Sequence, residues 1–216
     1  MSTDERKMRT YYAARAPEYD RIYLKPERQA DLRAIEQWVA SKFVGAQVLE
    51  IACGTGYWTQ FIAPVALHIA ALDAAPETLD IARSRAPGSD VEFLVGDAYD
   101  PPREGSFDAA FCGFWFSHVL RGRQREFLAR LNASLRRSAR VVMLDNRYVE
   151  GSSTPVAAYD ADGNAYQDRR LDDGSTHRVL KNFPSEGELR SLAAGFGEDA
   201  AFTAWEYYWA FEYRVA

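Results

Sequence analysis

The segment VLEIACGTGYWT, residues 48–59, constrains the fold of this chain more than any other. An apolar run ends at Ala52, and Cys53-Gly54-Thr55-Gly56 turns toward a helical stretch. Two glycines at a strand-to-helix turn let a ligand approach the backbone above the carboxyl end of the strand. We therefore expect a ligand-binding βα unit, with these residues near the ligand: Glu50, Ala52, Gly54, Gly56 and Trp58.

Short apolar runs alternate with helical patterns along the chain. Runs bounded by glycine, proline or acidic residues predict buried parallel strands at 47–52, 68–73, 91–97, 107–114 and 140–145. Apolar residues at three- and four-residue spacings predict helices at 58–63, 76–85 and 123–135. This βαβ alternation predicts an α/β fold with a Rossmann-like, doubly wound sheet and right-handed crossovers.

The composition excludes several classes of protein. A chain of 216 residues with 47% hydrophobic and 26% charged residues is typical of one globular domain. No apolar run approaches the roughly 20 residues of a membrane span, and a net charge of −5 argues against a broad basic surface for nucleic acid. The charged N-terminus and only two cysteines favour the cytoplasm. We expect a small-molecule partner, no nucleic acid or membrane, and a monomer or homodimer.

The glycine loop leaves two kinds of cofactor open. A dinucleotide-binding loop has the pattern Gly-x-Gly-x-x-Gly, with the pyrophosphate at the helix N-terminus. Here Ala52 holds the first glycine position, and the third glycine is absent. The inward carboxylate of Glu50 would also repel a phosphate, so the loop favours a cationic ligand.

Four motifs in order resemble those of the class I S-adenosylmethionine-dependent methyltransferases. They are VLEIACGTG, IAALDAAPETLDIAR, VEFLVGDAYD and SFDAAFCGFWFSHVL. The resemblance implies a seven-stranded sheet, S-adenosyl-L-methionine as cofactor and S-adenosyl-L-homocysteine as product. It implies that Asp73 binds the ribose hydroxyls, and that Asp97 and Ala98 bind the adenine. It also implies cofactor contacts at Ala74, Cys112 and Phe114. Taken alone, either aspartate could instead be a polar cap of its strand.

The N-terminal segment RTYYAARAPEYDRIY resembles the helical lid of small-molecule methyltransferases of ubiquinone and menaquinone biosynthesis. Its tyrosines combine aromatic faces with hydroxyls, which suits a lid over a sulfonium-bearing ligand. We expect Tyr11 and Tyr19 to contact the cofactor and Tyr12 to contact the substrate. The alternative is that these tyrosines only pack against the core.

His118 is the candidate general base. It follows the fourth predicted strand, at the tip where the reactive methyl group should project, and an imidazole there can take a proton near neutral pH. The alternatives are that His118 orients the substrate, caps a helix or holds the loop.

A metal mechanism is not expected. Asp145 and Asn146 resemble the pair with which catechol-type O-methyltransferases bind magnesium, but the position of the third carboxylate falls near Gly113. Without it, an octahedral magnesium site would lack oxygen ligands. We therefore expect no metal.

A β-hairpin is predicted after the fifth strand, in AYQDRRLDDGSTHRVLKNF, with its turn at Asp172-Asp173-Gly174. In class I methyltransferases the substrate binds on this side of the sheet, so polar residues here favour an anionic or polar substrate. The candidate substrate contacts are Tyr12, Trp115, Asn146, Arg147, His177 and Arg178, with Tyr148, Arg169 and Lys181 also in reach. A solvated charged hairpin or a contact between subunits is the alternative.

The C-terminal region predicts a helix at 185–194, followed by two strands that finish the sheet. Alternating aromatic side chains should face the core or a dimer surface; they are Trp205, Tyr207, Trp209, Phe211 and Tyr213.

These patterns predict one methyltransferase domain over residues 1–216. It comprises a helical lid (1–40), a cofactor-binding core (45–145), a substrate-side insertion with the hairpin (146–183) and a C-terminal helix with strands (184–216). The expected reaction is metal-independent transfer of a methyl group to an oxygen or nitrogen of a small molecule by in-line displacement. A nicotinamide-dependent oxidoreductase and a catalytically silent cofactor-binding protein remain as alternatives.

Overall fold

The computed structural model describes residues 10–86, 90–102 and 105–216. Its strands are β1 (Gln47–Ile51), β2 (His68–Asp73), β3 (Val91–Val95), β4 (Phe107–Gly113), β5 (Leu135–Asn146), β6 (Ala158–Tyr159), β7 (Ala165–Arg170), β8 (Thr176–Leu180), β9 (Gly197–Ala204) and β10 (Tyr208–Val215). Seven of them form one sheet in the order β3-β2-β1-β4-β5-β10-β9. Strands β1 to β5 are parallel, and β10 runs antiparallel to both of its neighbours. The predicted Rossmann-like, seven-stranded fold is confirmed.

Helices cover both faces of this sheet. They are α1 (Gln29–Lys42), α2 (Thr59–Ile62), α3 (Pro76–Arg85), α4 (Gln124–Ala133) and α5 (Glu186–Ala193). Apolar residues of α1, α2 and α3 belong to one buried cluster, and those of α4 and α5 belong to the other. The sheet is therefore the middle layer of three.

The central strands bury both of their faces. In β5, Val141 and Met143 belong to the cluster with α4, whereas Val142 and Leu144 belong to the cluster with α1. Strand β10 divides in the same way, so its aromatic residues fill both clusters rather than one exposed face. This double burial explains why the strands read as continuous apolar runs.

Several element boundaries differ from the sequence predictions. Strand β3 ends at Val95 rather than at Asp97. Helix α4 ends at Ala133, and β5 begins at Leu135, five residues earlier than predicted. The early part of β5 includes the exposed residues Arg136 and Arg137. Because these residues are charged, a search for apolar runs does not detect this part of the strand. Helix α2 is a single turn.

The predicted hairpin is present as β7 and β8, which pair with β6 in a separate three-stranded antiparallel sheet. Gly174 in its turn has a φ of 86°, which glycine adopts readily. This small sheet follows β5 and precedes α5, as the sequence predicted.

The N-terminal segment, defined here as residues 10–28, crosses from the glycine loop to the hairpin. The ring of Tyr23 stacks on that of Tyr57 with centroids 3.4 Å apart, and Asp20 accepts a 2.7 Å hydrogen bond from Thr55 Oγ1. Arg21 forms a 2.7 Å ion pair with Asp172 in the hairpin turn. Residues 29–42 of the predicted lid form α1 and pack against the sheet, and residues 1–9 lie outside the described part of the chain.

No helix within the described residues combines the length and the apolar character that crossing a membrane requires.

Gly56 and Gly187 provide a matched test of the glycine loop. Gly56 has a φ of 75°, and an added Cβ would lie 2.9 Å from Ala82 Cβ on α3, whereas an added Cβ at Gly187 would meet nothing within 4 Å. We expect Gly56→Ala to lower the free energy of unfolding by about 1–3 kcal/mol. Gly187→Ala, at an exposed helical position, should raise it by up to about 1 kcal/mol. Urea denaturation measures both, and equal effects would show that the loop does not pack tightly on α3.

Candidate active site

A cavity of about 240 Å³, here called the first cavity, lies at the carboxyl ends of the parallel strands. The loop after β1 and the end of β2 contribute Ala52, Gly54, Asp73 and Ala74 to its wall. The loops after β3 and β4 contribute Asp97, Ala98 and Phe114, and the N-terminal segment contributes Tyr19. These eight residues are ones that the sequence assigned to the cofactor.

The backbone around the first cavity is held in an unusual conformation. Ala52 and Phe114 have φ angles of 53° and 57°, in the left-handed region that is unfavourable for residues with a Cβ. An added Cβ at Gly54 would meet nothing within 4 Å, so the loop leaves room beside its backbone. Strained residues are retained where surrounding structure holds them, and they concentrate at functional sites.

Asp73 is fixed in the wall of the first cavity. Its Oδ2 accepts a 2.8 Å hydrogen bond from the Gly54 amide, and its Oδ1 accepts bonds from the Ala75 amide and the Thr78 hydroxyl at 2.9 and 3.0 Å. Burial raises the pKa of this carboxyl above its usual value. The carboxylate therefore ties the glycine loop to the start of α3 and presents a fixed acceptor to a ligand.

The first cavity has the donors and acceptors that an adenosyl ligand requires. Asp73 and Asp97 place two carboxylates on a wall that is otherwise largely apolar. Within the described residues, the buried indole N–H of Trp115, on the same wall, has no hydrogen-bond partner. A buried donor of this kind is costly unless a ligand or water satisfies it.

Five residues predicted to contact the cofactor do not line the first cavity. Gly56 packs against α3, Trp58 and Cys112 are buried in the core, and Tyr11 lines a second cavity. Glu50 is 1% exposed and accepts a 2.8 Å hydrogen bond from Thr59 Oγ1. Because burial raises the pKa of Glu50 to about 8, its side chain is mostly neutral at pH 7 and has little charge to attract a cation.

A second cavity, of about 380 Å³, lies beside the first, between the N-terminal segment and the small sheet. Four residues line both cavities, and we call them the shared wall: Tyr12, Tyr19, Phe114 and His118. Two ligands held in the two cavities would meet there.

His118 has a defined tautomer on the shared wall. Its Nδ1 lies 2.5 Å from the carbonyl oxygen of Leu180, which can only accept, so Nδ1 carries the proton. Nε2 is then free to accept a 2.8 Å hydrogen bond from the Tyr12 hydroxyl. Burial, together with the nearby Lys181 and Arg169, holds the pKa of His118 well below its usual value, so the ring is neutral at pH 7.

A buried ion pair lies behind His118. Lys181 Nζ donates 2.6 Å hydrogen bonds to Asp145 Oδ1 and to Ser117 Oγ, and Asp145 Oδ2 accepts a 3.1 Å bond from the Ser117 amide. Lys181 holds the pKa of Asp145 below its usual value although burial opposes this. Asp145, the residue that resembled a magnesium ligand, is thus bound by a lysine. In the described residues, no three His, Cys, Asp or Glu side chains cluster as a metal site.

The predicted substrate contacts divide into two groups. Tyr12 and Trp115 line the first cavity, and Asn146 lines the second, as does Tyr12. The other three, Arg147, His177 and Arg178, line neither.

Each of these three has a partner elsewhere. The guanidinium of Arg147 donates to the Trp205 carbonyl, and Arg178 is paired with Asp168 on the exposed side of the hairpin. The ring of His177 shares a hydrogen bond with Ser175. In the register of β7 and β8, Arg178 lies opposite its partner Asp168 and His177 lies opposite Arg169, and a sequence alone does not show this register.

Sequence reasoning missed the cations of the N-terminal segment. Arg15, Lys25 and Arg28 line the second cavity, although the sequence predicted only tyrosines as functional residues there. Their signal in the sequence is weak, because charged residues in a short helical segment are typical of a solvated face.

Comparison with known proteins identifies the central part of the chain. A family model for a methyltransferase domain matches residues 48–138. A ubiquinone biosynthesis O-methyltransferase of Xanthomonas axonopodis pv. citri is 37% identical over 79 residues, which are 35% of this chain and 33% of that protein. A demethylmenaquinone methyltransferase of Clavibacter sepedonicus is 35% identical over 82 residues, which are 37% of this chain and 34% of that protein. The chain thus spans about a third of the length of these curated relatives.

A solved structure resembles the whole chain. The DhpI-SAH complex superposes with a TM-score of 0.81 and 27% sequence identity, covering 100% of this chain and 99% of that one. The likeness therefore includes the N-terminal segment and the small sheet as well as the central fold.

The buried carboxyl of Glu50 makes stability depend on pH. With a folded pKa of about 8 and an ordinary value in the unfolded chain, Glu50 is protonated when folded and ionised when unfolded between about pH 5 and 8. Its contribution to stability is therefore lost as the pH rises through this range. We expect the free energy of unfolding of the wild type to fall relative to that of Glu50→Gln between pH 5 and 8, as measured by urea denaturation. A difference that stays constant with pH would contradict a protonated Glu50.

Proposed function

Since the chain carries a class I S-adenosylmethionine-dependent methyltransferase domain, we propose that it transfers the methyl group of S-adenosylmethionine to an oxygen or nitrogen of a small molecule. The observation that carries this proposal is the meeting of two cavities at one wall that holds a neutral histidine. The first cavity suits the cofactor and the second suits the acceptor.

The residues of the first cavity support cofactor binding. Asp73, at the end of β2, offers acceptors for the ribose hydroxyls, and Asp97 with the Ala98 amide suits the adenine edge. S-adenosylmethionine supplies a sulfonium methyl group, which an acceptor atom displaces in line while the bonding electron pair returns to sulfur. The protein contributes alignment, which is the main source of rate in such a transfer.

The shared wall supports a role for His118 as base. Nε2 is unprotonated, and its hydrogen-bond partner is the hydroxyl of Tyr12, whose pKa burial raises to about 12. A hydroxyl or amine acceptor that takes the place of Tyr12 would donate to Nε2 and pass its proton there as the new bond forms. Tyr12 remains protonated and can donate to a neighbouring oxygen.

The ion pair of Asp145 with Lys181 supports a metal-independent reaction. Asp145 has both oxygens engaged, by Lys181, by the Ser117 amide and by the Asn146 amide. A cation at this carboxylate would have to displace the ammonium group of Lys181, which is 4% exposed.

The lining of the second cavity indicates the kind of acceptor better than the names of the relatives do. The family match at residues 48–138 ends before the loop after β5 and before β7, which both line the second cavity. The names of the curated relatives refer to quinone substrates, and acceptor pockets on a shared scaffold vary widely.

Asp73→Asn tests the cofactor site. The loss of a fixed charged acceptor should raise the dissociation constant for S-adenosylhomocysteine at least tenfold, as measured by calorimetry. Asp90→Asn, at an exposed carboxylate beside His68, is the control and should leave the constant unchanged. An unchanged constant for Asp73→Asn would contradict ribose binding by this residue.

His118→Asn tests the base. With an acceptor identified from a panel of hydroxyl and amine compounds, kcat should fall by about 10²-fold or more. The dissociation constant for S-adenosylhomocysteine should change less than threefold, because cofactor contacts remain. Full turnover in the variant would remove His118 as the base.

A further inference from the structure

The second cavity is strongly cationic in a chain whose net charge is −5. Seven of its lining side chains are lysine or arginine, and two are aspartate or glutamate. The two carboxylates, Glu18 and Asp168, already pair with Arg21 and Arg178. Lys181 is compensated by Asp145.

Three arginines in this cavity are held by neutral groups. Arg15 donates to the Tyr11 hydroxyl at 2.9 Å. Arg28 donates to Asn146 Oδ1 and Ser152 Oγ, both at 2.9 Å, and Arg169 donates to Gln167 Oε1 at 2.8 Å. Within the described part of the chain, none of the three has a carboxylate within ion-pair distance.

Such an arrangement is unfavourable without an anion. Arg28 is only 5% exposed, and a buried charge without a counter-charge is costly. The neutral partners, together with the tyrosine rings beside Arg15 and Arg28, fix the guanidinium groups in position but supply no negative charge. Fixed guanidinium groups are suited to the paired oxygens of a carboxylate or a phosphoryl group.

We infer that the methyl acceptor carries an oxyanionic group, of the carboxylate or phosphoryl type, which the second cavity binds through Arg15, Arg28 and Arg169. This inference rests on the proposed function, because it names the substrate class of the same site. Two of the arginines come from the N-terminal segment and the third comes from β7, and all three line the cavity. An anion bound there can therefore interact with both parts of the chain.

The position of Arg169 connects the anion to the reacting atom. Its guanidinium interacts with the Tyr12 hydroxyl, and Tyr12 is bonded to His118 on the shared wall. An acceptor anchored at Arg169 therefore has its neighbouring atoms at the wall that faces the first cavity. A cavity of about 380 Å³ accommodates a small molecule rather than a polymer.

The test is calorimetry on the full chain saturated with S-adenosylhomocysteine, at low ionic strength. The probes are inorganic phosphate, benzoate and the neutral benzamide. The variants are Arg169→Gln and Arg15→Gln. The second variant keeps the test informative if Arg169→Gln does not fold. Arg190→Gln, at an exposed arginine of α5 paired with Glu186, makes the same change in net charge and is the control.

We expect wild type and Arg190→Gln to bind at least one of the two anions, and Arg169→Gln and Arg15→Gln to bind it at least tenfold more weakly. Binding of benzoate alone indicates a carboxylate acceptor, and binding of phosphate alone indicates a phosphoryl acceptor. The inference is overturned if neither anion binds, if benzamide binds as tightly as benzoate with no phosphate binding, or if all variants bind alike.

The same titrations separate the inference from the proposed function. Failure of S-adenosylhomocysteine to bind would overturn the proposed function, and the anions would then be titrated into the free protein. Cofactor binding without anion binding would overturn only the inference. An anion-binding chain that binds no cofactor would retain the oxyanion site but lose its assignment to a methyl acceptor.

Discussion

The ion pair between Lys181 and Asp145 joins the small sheet to the central sheet. Lys181 follows β8, Asp145 lies near the end of β5, and both side chains are buried. Two buried charges are tolerated only when they hold each other in good geometry, and leaving either one alone costs about 3–5 kcal/mol. The pair also binds Ser117, which precedes His118. The ion pair thus contributes both to the position of the histidine and to the attachment of the small sheet.

The central fold was predictable because its signals are local and repeated. The central parallel strands are buried on both faces, so β1, β2 and β4 appear as apolar runs. The location of the cofactor-binding site followed from the order of the strands in the sequence, since the carboxyl ends of parallel strands share one edge of the sheet. The ends of a strand were harder to predict where the strand contains charged residues, as in the exposed first half of β5.

The residues that line the second cavity could not be predicted in the same way. Its residues come from the N-terminal segment, from β5 and from the hairpin, and no spacing in the sequence reveals that Arg15, Arg28 and Arg169 converge. The register of β7 and β8 places Arg178 opposite Asp168, with which it pairs, and no pattern in the sequence shows that register. Glu50 shows a related limit, because its protonation follows from burial, which is a property of the folded chain.

The shared wall has a consequence for how such a protein diverges. Tyr12, Tyr19, Phe114 and His118 each present one side to the first cavity and another to the second. A replacement at any of them alters the shape of two pockets at once, so these positions are not free to follow a new acceptor independently. Changes of acceptor preference should accumulate instead on β7 and the loop after β5, which line the second cavity but not the first.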